Sequence, residues 1–115
     1  MNQYGKAVQK AKEAIEKDAS VAGKANLLIG TIWYQVKCGG NEMEQRAKFW
    51  VATDYLQKAK DADPALAAEA DELIRTCRVY FPTTEDAFMY DLQDGQSFSV
   101  SCGGMSATTT VRTNK

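Results

Sequence analysis

RAKFWVATDYLQKAKDADPALAAEADELIRTCRVYF, residues 46–81, reads as one helix, a short Asp-Ala-Asp-Pro break and a second helix folding back on the first. In the first helix, expected from Glu42 or Glu44 to Asp61, Phe49, Ala52, Leu56 and Ala59 form an apolar stripe. Trp50 and Tyr55 flank it. Asp63 suits a helix N-cap, and Pro64 suits a first helical turn, where its missing N–H costs nothing. The second helix, over about 65–79, places Leu66, Ala67, Ala70, Leu73, Ile74 and Cys77 on one side. Phe81-Pro82 ends it, because proline pushes the preceding residue out of the helical region.

Working outward toward the N-terminus, residues 5–18 carry Ala7, Val8, Ala11, Ala14 and Ile15 at three- and four-residue steps, with Lys and Glu opposite. That is an amphipathic helix whose small residues admit a close partner. Asp18-Ala19-Ser20 makes a first break, with Ser20 as the expected N-cap. A helix over about 21–37 follows, with Val21, Ala25, Leu28, Ile29, Ile32 and Val36 inward. Gly23 and Gly30 sit inside it at a cost of up to ~1 kcal/mol each, which implies close helix contact. Cys38-Gly39-Gly40-Asn41 stops it.

Toward the C-terminus, residues 83–94 predict a short helix capped by Thr83 or Thr84, with Phe88 and Leu92 inward. After Gly95 the hydrophobic period changes from 3.6 to 2. Gly103-Gly104 is a two-residue hairpin turn, which pairs Cys102 with Met105, Val100 with Ala107 and Phe98 with Thr109. A lone hairpin is marginal in water, so its apolar face must pack on the helices or on another chain. The division expected is a helical region over 1–82 and a helix-plus-hairpin cap over 83–115.

A 45-residue shift superposes the two breaks: Ala7 on Ala52, Ala14 on Ala59, Asp18 on Asp63, Ala22 on Ala67, Ala25 on Ala70, Leu28 on Leu73 and Ile29 on Ile74. Ala52-x3-Leu56-x2-Ala59-x4-Pro64 resembles the second-helix signature of a tetratricopeptide repeat. Ala7-x3-Ala11-x2-Ala14-x4-Ala19 has the same spacing with alanine in place of proline. The repeat is longer than the usual ~34 residues, and the excess falls around residues 38–46. Leu28-Ile29 and Leu73-Ile74 replace the usual Leu-Gly. The second half, KAKDADPALAAEADELI through YFPTTEDAFMYDLQDGQSFSV to TTTVR, is similar to the C-terminal ends of uncharacterised tetratricopeptide proteins of the Bacteroidetes envelope. The resemblance covers about residues 5–112. It implies a mainly α fold of TPR-like antiparallel helical hairpins, an α-solenoid fragment ending in a C-terminal β-hairpin. It also implies the end of a longer protein, in the periplasm or cell envelope, and carries no known activity.

Composition narrows function further. A net charge of −1 gives no electrostatic reason to expect nucleic acid, and no apolar run is long enough to insert in a membrane. With no histidine, the serines and threonines of 97–110 lack the usual general base, and the three cysteines lack CxxC spacing. Cys38, Cys77 and Cys102 read as apolar fillers or free thiols, with one disulfide between two of them left open. The acids Asp61, Asp63, Glu69, Asp71 and Glu72 read as caps and solvated helix surface, not a metal site. No catalytic residue, metal or cofactor is expected.

The repeat mapping turns Asn26, Trp33, Tyr34, Asp71, Arg75 and Arg78 toward the concave groove, where aromatics and arginines make good anchors. The leading expectation is a non-enzymatic scaffold with a protein or peptide partner. The alternative is a structural cap of a solenoid, the tail covering the groove and binding nothing. The helix at 5–18 lacks a preceding partner, so Val8 and Ile15 are expected to be covered by another copy of the chain as a homo-oligomer.

Overall fold

The structure, a computed structural model, describes residues 4–102 and 105–114. Among the described residues, five α-helices precede one antiparallel hairpin: α1 (Tyr4–Lys17), α2 (Ala22–Gln35), α3 (Glu42–Ala62), α4 (Ala67–Val79), α5 (Thr84–Met89), β1 (Ser97–Cys102) and β2 (Met105–Thr110). The chain is mainly helical with a two-stranded C-terminal sheet.

Side chains satisfy the orphan N–H groups at the starts of α3 and α5 and of the two turns that lead into α2 and α4. At Asn41 a capping box closes on both sides: Glu44 N donates to Asn41 Oδ1 at 2.8 Å, and Asn41 N donates to Glu44 Oε1 at 3.1 Å. It launches the 21-residue α3, the longest helix described. The two breaks are single 3-10 turns, Ala19–Val21 and Pro64–Leu66, capped by Asp18 and Asp63. Each aspartate accepts from the N–H two residues on, Ser20 and Ala65, at 3.0 Å in both cases. Ser20 is therefore not the cap; its hydroxyl donates to the Asp18 carboxylate at 2.7 Å. Those two hydrogen bonds also hold the Asp18 pKa below its usual value.

The core lies along α3. Trp50 and Leu56 are fully buried on it, with Ile29, Trp33 and Val36 contributed by α2 and its end. The two glycines of α2 are where helices touch. A Cβ on Gly30 would stand 2.9 Å from Leu56 Cγ, and one on Gly23 would stand 2.5 Å from Asp63 Cβ. Leu28, expected inward, is 50 % exposed. The α2 stripe instead runs Ala25, Ile29, Ile32 and Trp33, which puts the larger aromatic in the core. Ala14 is likewise exposed.

The hairpin pairs in the expected register, with Cys102 opposite Met105, Val100 opposite Ala107 and Phe98 opposite Thr109. Its Gly103-Gly104 turn lies outside the described residues. Val100, Cys102, Met105, Thr109 and Val111 are buried against the helices. Contacts at several points hold it there. Cys38, beyond the end of α2, forms a disulfide with Cys102, their Cα atoms 4.9 Å apart. This replaces the expectation of three free thiols: only Cys77 stays reduced, buried in α4. The side chain of Trp50 meets Phe98 edge-on, with ring centroids 5.6 Å apart. Past β2, Asn114 bridges back to Thr83, and its amide donates to the Arg78 carbonyl at 2.6 Å.

Candidate functional site

The six groove residues predicted from the repeat do not converge. Trp33 is only 1 % exposed and belongs to the core. It touches a cleft of about 440 Å³ with Val8 and Lys12 of α1 and Met105 of the hairpin. Arg78 is exposed and borders a different cleft, of about 330 Å³, with Ile74, Arg112 and Asn114. Asp71 is half-buried and paired with Lys60 at 2.6 Å, bridging α4 to α3. Tyr34 is half-buried, edge-on to Phe49 at 5.8 Å. Arg75 is exposed on α4 and Asn26 half-buried on α2.

The hairpin packs chiefly on α3; of the predicted groove residues, Trp33 shares a cleft with Met105, and the Arg78 carbonyl accepts from the Asn114 amide. Arg112 is the main polar anchor. Its guanidinium donates to the Trp50 carbonyl at 3.0 Å and pairs with Asp54, while its own carbonyl accepts from Trp50 Nε1 at 2.9 Å. Asp54 also accepts from the Thr109 hydroxyl at 2.5 Å. At the far end of the hairpin, Val8 is buried by its own chain and Ile15 half-buried. Val8 therefore needs no second copy to cover it, contrary to the oligomer argument.

Exposed apolar groups gather elsewhere, around the first turns of α3. The helix α5 was expected to turn Phe88 inward. Its six residues make fewer than two turns, and Ala87 alone takes the buried position. Phe88 and Met89 are 73 % and 77 % exposed, and Tyr90 43 %. A cleft of about 260 Å³ lies between α3 and α5, with Met43, Pro82, Met89 and Tyr90 as apolar walls and Glu42, Arg46 and Asp86 as charged ones. Met43 and Tyr90 are shared with a shallower depression of about 290 Å³ that adds Leu92 and Phe98. On the other side of Glu42 and Arg46 a third cleft, of about 490 Å³, is lined by Lys37, Lys48, Phe49 and Tyr80. Tyr80 stacks on Phe49 with centroids 4.5 Å apart. Lys48 Nζ donates to the Val36 carbonyl and stands 5.0 Å from the Phe49 ring centre. Its pKa is lowered, chiefly by burial.

The end of α5 has its own signature. Leu92 N–H donates to the Ala87 carbonyl at 2.9 Å and Asp91 N–H to the Phe88 carbonyl at 3.0 Å. That is a Schellman closure, in which the first residue past the cap turns left-handed. Glycine is the usual occupant; here it is Asp91, with φ of 60°.

Sequence reasoning missed this surface because its periodic test assigns Phe88 to a buried stripe. The available sign was composition: between Arg78 and Arg112 there are four acids and no lysine or arginine. Among the described residues, no group of three or more His, Cys, Asp or Glu side chains is placed to hold a metal. No protein-family model, curated protein or solved structure matches the chain.

Proposed function

We propose that this chain is a non-enzymatic protein-interaction module, the C-terminal part of a larger tetratricopeptide-type scaffold. The observation that carries the reading is the apolar surface at the start of α3, where Met89 and Tyr90 stand out beside clefts walled by Met43, with Phe88 exposed on the same short helix. A domain that fastens its hairpin with a disulfide and reciprocal hydrogen bonds can bury apolar side chains; these three it leaves in water, as binding surfaces do.

The repeat reading draws support from the two breaks. Asp18 and Asp63 adopt φ, ψ of −150°, 100° and −144°, 96°, and the residues Val21 and Leu66 that end the turns also match, at −92°, 3° and −91°, 0°. One local geometry thus recurs at the 45-residue offset of the sequence repeat. The Cys38–Cys102 disulfide favours an oxidising compartment such as the periplasm or cell envelope.

A second reading, a terminal cap with no ligand, is favoured by the hairpin fastened across α3, which buries Val100, Cys102 and Met105. Partner capture from a Bacteroidetes envelope extract separates the two. The full chain is used as bait beside a variant carrying Met89→Ser and Tyr90→Ala. A stoichiometric partner held by the first and lost by the second supports the scaffold. If both folded baits stay empty, the cap reading replaces it.

A further inference from the structure

Resting on the interaction-module reading, we infer that the α3–α5 cleft docks a basic, apolar-anchored segment of a partner protein, an extended stretch in which a leucine- or phenylalanine-sized side chain is flanked by lysine or arginine. The cleft of about 260 Å³ suits one such side chain, with Met43, Pro82, Met89 and Tyr90 around it.

Charge selects the flanking residues. Of the charged groups lining the cleft, Glu42 and Arg46 neutralise each other at 2.8 Å, which leaves Asp86. Glu85 beside it and Asp91 past the end of α5 are exposed, and among the described residues none of these three acids forms an ion pair. No positive side chain lies between Arg78 and Arg112. An apolar cleft with the unpaired Asp86 in its wall, and two further unpaired acids on and just past α5, attracts a basic segment and repels an acidic one, so the electrostatics set partner choice.

Polarity across the surface fixes the direction. Beyond the Glu42–Arg46 pair the neighbouring cleft carries Lys37 and Lys48. The basic flank of a partner therefore lies on the α5 side, and acidic or neutral residues on the α4 side. The same acids argue against docking on an anionic membrane.

The test uses the full, oxidised chain and three fluorescent peptides of alternating leucine with lysine, with glutamate or with serine, read by anisotropy and by backbone amide shifts. The lysine peptide is expected to bind with shifts centred on Met43, Met89 and Tyr90. Replacing Glu85, Asp86 and Asp91 together by Gln, Asn and Asn weakens it ~10-fold, and Met89→Ser by a similar factor. All of these side chains are exposed, so thermal melts of the variants should match the parent. Equal binding of the serine or glutamate peptide, or shifts confined to another face, overturns the basic-segment site and leaves the interaction module standing. Failure of all three peptides together with empty partner capture overturns both. Sedimentation with phosphatidylglycerol vesicles but not with the lysine peptide overturns the proposal in favour of a lipid surface.

Discussion

Trp50 and Arg112 exchange hydrogen bonds in both directions across 62 residues of chain: the indole N–H reaches the Arg112 carbonyl, and the guanidinium reaches the Trp50 carbonyl. The helix thereby presents a carbonyl that its own i→i−4 ladder already uses, and the tail supplies a second donor to it. Asp54, one turn on, takes the other side of the guanidinium. The base of the hairpin is thus tied to the centre of α3, and its far end to Cys38.

Arg112→Ala should lower unfolding free energy by ~2 kcal/mol in urea titration, because it leaves the half-buried Asp54 carboxylate without its cation. Arg112→Lys should recover only part of this, since an ammonium cannot reach Trp50 and Asp54 as a planar fork does.

Cys38→Ser with Cys102→Ser should cost ~2–4 kcal/mol, the usual range for a disulfide and at its upper end for a loop this long. Chemical denaturation with and without reductant checks it. The effect of reductant should vanish in the double variant. Cys77, free but fully buried, should stay unreactive toward a thiol reagent until the protein unfolds.

Burial raises the Cys77 thiol from 9.0 to about 11, with the Thr53 hydroxyl and the Lys48 charge pulling the other way. The unfolded chain then loses that proton first as pH rises. The contribution of Cys77 is intact below about pH 9 and is lost between about 9 and 11. Unfolding titrations across that window should show stability falling, and Cys77→Ala should flatten the fall.

Gly30→Ala should destabilise by ~1–3 kcal/mol although alanine is the better helix former, because its Cβ would press on Leu56 Cγ at 2.9 Å in a packed core. A variant that melts above the parent would show that α2 and α3 part readily at this contact.

Asp91→Gly should stabilise by ~1 kcal/mol, relieving the left-handed backbone at the end of α5. Asp91→Asn should be close to neutral, since asparagine tolerates that conformation. A comparison of midpoints in guanidinium decides it.

The helices, both breaks and the strand register were legible in the sequence because each rests on short-range chemistry. Asp63 before Pro64 caps a turn whatever surrounds it, and alternation from Phe98 to Thr109 fixes which strand face is apolar. What the helices face was not legible. Trp33 and Leu28 both lie on α2 in a mostly apolar stretch, so periodicity cannot say which enters the core. Close packing at Gly30 and Leu56 decides, by setting the rotation of α2 on α3. A helix stripe predicts an inward side for Phe88 but carries no information on how short the helix is, and α5 ends before that side meets the core. The pairing of Cys38 with Cys102 required knowing that the hairpin crosses α3 to the end of α2. Local propensity determined the elements; the faces, the disulfide and the candidate surface were decided by long-range packing, which depends on how side-chain volumes from distant parts of the chain fit together.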